Sequence, residues 1–305
     1  MRNLTLKQLR YVEALARHGH FGRAAEACAI SQPALSMQIK ELEAELCMTL
    51  FERGPRSVRL TGFGADFLAR ARDILRGVDE LGDLARAARS SLAGRLRLGV
   101  IPTVAPYLLP RLMPELTRQE FAPDLSVRET LTGNLIAELR EGRLDAALVA
   151  LPVGESDLTE VALFDEAFVL VRPAKDEGRP TPDRERLREM RLLLLEEGHC
   201  FRDQALSFCN LAASGPRELM DGSSLSTLVQ MVGAGIGVTL IPEMALPVET
   251  RSAQVSVARF PAPAPTRRIG MVWRKSNPLA EPLTAIAELV RQAASQARAD
   301  WAAAG

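Results

Sequence analysis

Residues 24–46, AAEACAISQPALSMQIKELEAEL, carry a helix start, a buried stripe and a polar outer face in one short run. Ser31 is of the type that caps a helix, and Pro33 is tolerated in a first turn. Leu35, Ile39, Leu42 and Leu46 fall within about 60° of one another at about 3.6 residues per turn, which predicts one buried face. The opposite face carries Pro33, Ser36, Met37 and Lys40. Upstream, Leu6, Leu9, Val12 and Leu15 recur at helical spacing as far as Gly19, and Phe21 to Ala27 reads as a second short helix. Two short helices joined by a tight turn, the later one presenting small polar and basic residues, suit a recognition helix in a DNA major groove. LFERGPRSVRLT, residues 50–61, alternates apolar and polar residues around Gly54-Pro55 and predicts a two-stranded wing. Candidate DNA contacts are Ser31, Gln32, Pro33, Ser36, Gln38 and Lys40, with Arg53 and Arg56 for phosphate. Capping and solvated surface are the competing roles for these polar side chains.

The chain as a whole is charge-balanced, 38 basic against 38 acidic side chains, but residues 1–60 hold nine Lys and Arg against six Glu, a net of +3. The 24–46 run and LFERGPRSVRLTGFG, residues 50–64, closely resemble the DNA-binding domain of LysR-type transcriptional regulators. One departure is Cys47, where that family usually has a glycine that caps the helix without steric cost, so this helix is expected to end differently. Cys28 and Cys47 read as small packing residues.

From Phe63 a long helical pattern follows. Phe67, Ala71, Ile74, Val78, Leu81, Ala85 and Ala88 alternate steps of four and three, the spacing of a seam that faces a partner helix. A dimer is expected, the alternative being a helix packed on its own domain. The seam ends near Ser90-Ser91, with Gly94 as a hinge. Beyond it, RLRLGVI, Leu125 to Glu129, LDAALVAL, LLLL at 192–195, GVTLI and IGMVW read as strands. Between them lie helices at Tyr107 to Glu120, Leu135 to Glu141, the 198–209 segment, Leu225 to Val232 and the C-terminus. This order predicts an α/β domain with largely parallel sheets. GRLDAALVAL and LVQMVGAGIGVTLIPEMAL resemble the LysR-type regulatory domain, which implies a two-lobed α/β form of periplasmic-binding-protein type with its ligand between the lobes. The expected division is 1–61 for an all-α winged helix-turn-helix and 62–93 for the linker and dimerisation helix. Residues 94–305 form the regulatory domain, lobe I spanning about 94–166 and 268–305 and lobe II about 167–267.

GHCFRDQALSFC, residues 198–209, sets two of the chain's four cysteines nine positions apart. Redox CxxC motifs and zinc knuckles space their thiols more closely, and a helix would hold Cys200 and Cys209 about 13.5 Å apart on opposite faces. A disulfide needs Cα atoms about 4.4–6.8 Å apart, so bonding these two demands that the helix unwind. Spacing alone is equally compatible with two packed, inert thiols. The run LLLLEEGHCFRDQALSFC, residues 192–209, resembles the redox segment of OxyR-type peroxide sensors, a branch of the LysR-type regulators.

That resemblance implies that hydrogen peroxide oxidises Cys200 and that Cys209 resolves it into a reversible disulfide. It also implies that glutaredoxin or thioredoxin reduces the bond, and that DNA binding and transcription of oxidative-stress genes respond. It nominates Thr103 in IPTV, Thr132 in TLTGN, His199, Asp203 and Arg267 in TRRIG as the peroxide pocket, with Arg268 as a rival to Arg267. Strand-end hydrogen bonding is the competing role for the two threonines. Cys200 needs a positive field, for which the helix N-terminus, His199 and Arg202 are the local candidates, and the apolar neighbours Leu206, Phe208 and Leu211 predict a buried Cys209. Implied partners are pseudo-palindromic double-stranded DNA, a second copy in a dimer and beyond it a tetramer, and RNA polymerase. The runner-up reading is a LysR-type regulator of a small organic effector with incidental cysteines, and a thiol peroxidase is disfavoured by the DNA-binding head. No cofactor and no metal are expected, because His18, His20 and His199 form no cluster with the cysteines at ligand spacing. No signal peptide or membrane span is read, so a cytoplasmic, reducing setting is expected, one that favours redox-sensing over structural cysteines.

Overall fold

The computed structural model describes residues 4–54, 58–87, 95–118, 124–209 and 220–303, and they divide into two compact units, Met1–Asp83 and Leu84–Gly305. In the first, α1 (Leu6–His18), α2 (Phe21–Ala27) and α3 (Gln32–Leu46) precede β1 (Phe51–Arg53), β2 (Val58–Leu60) and the long α4 (Gly62–Ala87). Local chemistry sets each boundary. Thr5 and Gln8 form a reciprocal capping box on α1, and Gly19 closes that helix at φ 60°. His20 Nδ1 accepts from Gly22 N to start α2, and Ser31 Oγ accepts from Ala34 N to start α3. Leu35, Ile39 and Leu42 are sealed in a core with Val12, Leu15, Leu50 and Phe51. The strands pair antiparallel, Phe51 opposite Leu60 and Arg53 opposite Val58.

Cys47 departs from expectation. It ends α3 in the left-handed conformation at φ 52°, as a glycine would, so the cysteine bears the steric strain that a glycine avoids. The seam of α4 is also divided. Ala71 is buried and Phe67 packs beside it against Leu9 and Leu75 of the same unit, whereas Ile74, Leu81 and Leu84 are exposed. Ala88, Ser90, Ser91 and Gly94, like Pro55 and Arg56, lie outside the described residues, and so do the side chains of Arg53 and Ala85.

The second unit opens with β3 (Arg95–Val100), α5 (Ala105–Arg118), β4 (Asp124–Glu129), α6 (Thr132–Arg140) and β5 (Ala146–Leu151). There follow β6 (Leu158–Pro173), α7 (Arg184–Glu189), β7 (Leu192–Leu195), α8 (Cys200–Phe208), β8 (Met220–Gly222), α9 (Leu225–Gly233) and β9 (Val238–Pro242). The unit ends with α10 (Leu246–Glu249), β10 (Val255–Arg259), β11 (Thr266–Arg274) and α11 (Ala280–Ala303). The strands run in the order β4-β3-β5-β11-β6-β9-β7-β8, with β10 beside β6. This curled sheet makes the two lobes.

The sheet is mixed rather than largely parallel. Parallel pairs join β3 to β4 and β5, and β7 to β8 and β9, but β6 and β11 run antiparallel to their neighbours. The reason is β6, a 16-residue strand that the helix–strand alternation does not announce. Its first part, to Ala167, pairs with β11; from Phe168 onward it pairs with β9, and from Val169 with β10. One strand thus belongs to both lobes, and the residues at its change of partner sit where the lobes meet.

Candidate functional site

Gly198, at φ 94°, turns the chain out of β7 and into α8, and a Cβ there would meet Leu131 Cδ1 at 2.9 Å. His199 is the N-cap and Cys200 the first residue of the helix. Cys200 is half-buried in a narrow crevice lined also by Ile101, Thr103, Leu131, Thr132, His199 and Phe201. The lining joins α8 to the loop after β3 and to the start of α6, so three separate stretches of sequence converge on one thiol.

Three polar side chains face this crevice with hydrogen-bonding capacity to spare. Thr132 Oγ1 is buried without a partner. Thr103, 3% exposed, accepts from Arg267 Nη1 at 2.7 Å through its hydroxyl and from Nη2 at 3.0 Å through its carbonyl. The Thr103 hydroxyl proton donates to no described protein atom, so it is available to a ligand. His199 is buried, and desolvation holds its pKa below the usual value although Glu196 pulls the other way. It is therefore a neutral imidazole and not the cationic neighbour expected for Cys200. Arg202 is buried, and its Nη1 donates to the Leu195 carbonyl at 2.7 Å. The helix N-terminus is a further local source of positive potential.

Arg267 stands behind Thr103 and does not line the crevice. It is 3% exposed, its guanidinium lies 5.3 Å from the Phe201 ring centre, and its Nε pairs with Glu166 Oε2 at 2.8 Å. Arg268, the rival in sequence, lies exposed and pairs with Asp165. Glu166 also accepts from Met244 N at 2.8 Å; burial pushes its carboxyl above the usual range, with Arg267 drawing it back. This carboxylate, on the strand shared by both lobes, went unread in the sequence because nothing local marks it. Asp203 is not brought to the crevice: it is exposed on α8 and absent from the lining.

At the other end of α8, Cys209 is fully buried and its thiol is pushed up to about 11 by desolvation, against the opposing pull of Arg184 and Arg188. Arg188 Nε donates to the Cys209 carbonyl at 2.9 Å, and Arg184 lies over the Phe208 ring at 4.8 Å. Leu206 is buried beside it; Leu211 lies outside the described residues. Both thiols are free. In the first unit, Ser31 at the N-cap and Gln32, Pro33 and Lys40 on α3 are exposed, Ser36 is half-exposed, and Gln38 donates to Glu41 at 2.8 Å.

Residues 6–65 match the profile "Bacterial regulatory helix-turn-helix protein, lysR family", and residues 89–295 match "LysR substrate binding domain". The chain belongs to the LysR family. Within that family it is similar to a probable hydrogen peroxide-inducible genes activator of Streptomyces viridosporus, at 45% identity over 96% of this chain and 95% of the relative. It is 40% identical to the DNA-binding transcriptional dual regulator OxyR of Escherichia coli K12, over 94% of this chain and 95% of that one. Among solved structures, a full-length OxyR variant from Pseudomonas aeruginosa superposes with a TM-score of 0.74 at 39% identity, covering 95% and 96% of the two chains. An H2O2-bound OxyR variant from Corynebacterium glutamicum superposes with a TM-score of 0.67 at 35% identity, covering 99% and 96%. This LysR regulator is therefore of the OxyR type, with the family's helix-turn-helix joined to a two-lobed regulatory domain. Among its described residues no helix is long and apolar enough to cross a membrane.

Proposed function

We propose that this regulator senses hydrogen peroxide through Cys200 and stores the signal as a reversible Cys200–Cys209 disulfide that alters DNA binding. The observation that carries the reading is the crevice itself. One thiol at a helix start shares a narrow crevice with two hydroxyls and a neutral imidazole, and none of these three groups donates to a described protein atom. A small polar molecule supplies the missing acceptors and donors.

The Cys200 thiolate attacks one peroxide oxygen; an S–O bond forms, the O–O bond breaks, and the departing hydroxide takes a proton to leave as water. Thr103 and Thr132 hydrogen-bond the reacting oxygens, and Arg267, bonded to the Thr103 oxygen, makes that hydroxyl a better donor. Cys209 then attacks the Cys200 sulfenic sulfur, the S–S bond forms, the S–O bond breaks and a second water leaves. Two thiols and one peroxide give one disulfide and two waters. Since α8 holds the thiols about 13.5 Å apart along its axis, the second step requires the helix to unwind. Moving such an equilibrium from 1:99 to 99:1 takes about 5.5 kcal/mol, or about 120 mV for a two-electron couple, a span that cellular thiol couples cover. A dithiol reductant of the glutaredoxin or thioredoxin class reverses it.

The exposed Ile74, Leu81 and Leu84 of α4 support pairing with a second copy, which presents two α3 helices to pseudo-palindromic half-sites. Ser31, Gln32, Pro33, Ser36, Gln38 and Lys40 are the contacts assigned to α3, and Arg53 and Arg56 those assigned to the wing. An organic-acid effector is disfavoured by the larger cleft next to the crevice. It measures about 350 Å³, but its charged lining residues are Glu129, Glu196 and Glu249, which repel a carboxylate.

The test is mass spectrometry of alkylated peptides after a brief, substoichiometric peroxide pulse. A Cys200–Cys209 disulfide is expected in wild type and none in Cys200→Ser; free thiols in both at peroxide levels that oxidise a known sensor sink the proposal.

A further inference from the structure

A third cavity, of about 330 Å³, lies in the lobe built on β9, β7 and β10, and the redox chemistry leaves it unused. The residue that defines it is Arg172, which β6 carries inward until only 6% of it is exposed. Its Nε donates to Ser256 Oγ at 3.2 Å, and its Nη1 donates to the carbonyls of Arg179 at 2.8 Å and Pro180 at 3.5 Å. Its Nη2 donates to no described protein atom, and every acceptor it has is neutral. A guanidinium taken out of water without a counter-charge is costly, and here it lines open space.

Two carboxylates, Asp176 and Asp183, line the cavity with three arginines, Arg172, Arg179 and Arg186, so unlike the cleft beside the crevice its lining carries net positive charge. Asp176 pairs with Arg179 at 2.7 Å, and Asp183 caps α7 by accepting from Arg186 N at 2.8 Å. Leu170, two residues before Arg172 on the same face of β6, and Pro182 and Met190 add apolar lining. The unpartnered Nη2 of Arg172 beside this apolar lining favours a carboxylate that carries a compact hydrocarbon body.

The same short helix that borders this cavity holds the resolving cysteine. Arg186 and Met190 line the cavity, whereas Arg188 holds the Cys209 carbonyl and Arg184 covers Phe208. We propose that this cavity binds a small organic carboxylate, and that the bound anion fixes α7 against Cys209 and slows disulfide formation. The second half of this proposal rests on the disulfide reading; the first half does not. A ligand that binds only the arrangement with α7 docked slows opening by a factor of one plus its concentration over Kd, about tenfold at ten times Kd.

Reduced, full-length Cys200→Ser protein is titrated by calorimetry with benzoate and with benzamide, its neutral isostere. Benzoate is expected to saturate one site, benzamide to give no saturable heat, and Arg172→Met to weaken benzoate at least about tenfold, the worth of a charge-assisted hydrogen bond. Arg172→Met also removes bonds that hold the 179–180 backbone, so Met190→Glu, which adds a negative charge to the wall, serves as a second variant with the same expected loss. Wild type at ten times the Kd of benzoate is then pulsed with peroxide. Disulfide formation is expected to slow about tenfold while Cys200 sulfenic acid accumulates at its usual rate. Absent or non-saturable benzoate binding, or equal binding of benzamide, overturns the site. Binding that leaves the disulfide rate unchanged overturns the clamp. Wild type that forms no Cys200–Cys209 bond even without benzoate overturns the disulfide reading and the clamp with it, while the calorimetry on Cys200→Ser still decides the site.

Discussion

Phe208→Leu isolates the contacts that keep Cys209 out of reach. The Phe208 ring meets Phe260 edge-on at 5.2 Å and lies under the Arg184 guanidinium at 4.8 Å, and both contacts must break before α8 unwinds. Leucine keeps most of the apolar volume and loses both ring interactions. An aromatic pair contributes about 0.5–1.5 kcal/mol and an exposed cation–π contact about 0.5–1 kcal/mol, so the open arrangement gains about 1–2.5 kcal/mol, or roughly 5- to 70-fold in population. The assay is the rate at which an excess of a thiol-reactive dye labels Cys209 in a Cys200→Ser background at pH 7.5. Because Cys209 is sealed and its thiol is pushed up to about 11 from an ordinary 9.0, the closed state carries about a hundredth of the usual thiolate, and labelling proceeds through opening. Phe208→Leu is expected to raise that rate about tenfold or more, and to speed conversion of sulfenic acid to disulfide in the Cys200 protein by a similar factor. A rate within twofold of the parent, or wild-type Cys209 labelling as fast as Cys200, would refute the sealed-thiol argument.

Thr132→Val replaces an unpartnered buried hydroxyl with a methyl group, so stability should stay within about 0.5 kcal/mol while Cys200 oxidation by peroxide slows about 5- to 10-fold; a large loss of Tm with an unchanged rate contradicts the assignment. Glu166→Gln strips Arg267 of its counter-charge inside the protein, and a loss of about 3–5 kcal/mol, some 6–20 °C in Tm, is expected by calorimetry. Gly198→Ala forces a side chain into φ 94° and against Leu131, so about 1–3 kcal/mol of stability and part of the Cys200 reactivity should disappear together. The folded-state pKa of His199 is depressed, so unfolding takes up a proton as pH falls through about 6.5; Tm should decline below that pH, and the decline should be shallower in His199→Gln.

The DNA-binding head was legible because its information is local. Ser31, Pro33 and the Leu35-Ile39-Leu42 stripe fix a helix whichever way the rest of the chain runs, and the helix appears from Gln32 to Leu46. The two cysteines were legible for the same reason: they sit nine positions apart on one helix and its cap. Local spacing on α4 spoke less clearly, since Ala71 shares the period of Ile74 but faces its own unit. Resemblance placed Thr103, Thr132 and His199 in one pocket, yet only the packing shows Thr132 unpartnered, His199 neutral and Asp203 turned away. Glu166 and Arg172 were silent because a charge inside a strand gives no periodic signal; their meaning comes from partners about a hundred and about eighty residues distant. Sequence by itself determined the helices, their caps and the reach between the thiols, because those depend on neighbours along the chain. Tertiary structure alone decided which polar groups were left without partners and which cations were buried, because hydrogen-bond satisfaction and desolvation are set by what the fold brings across space.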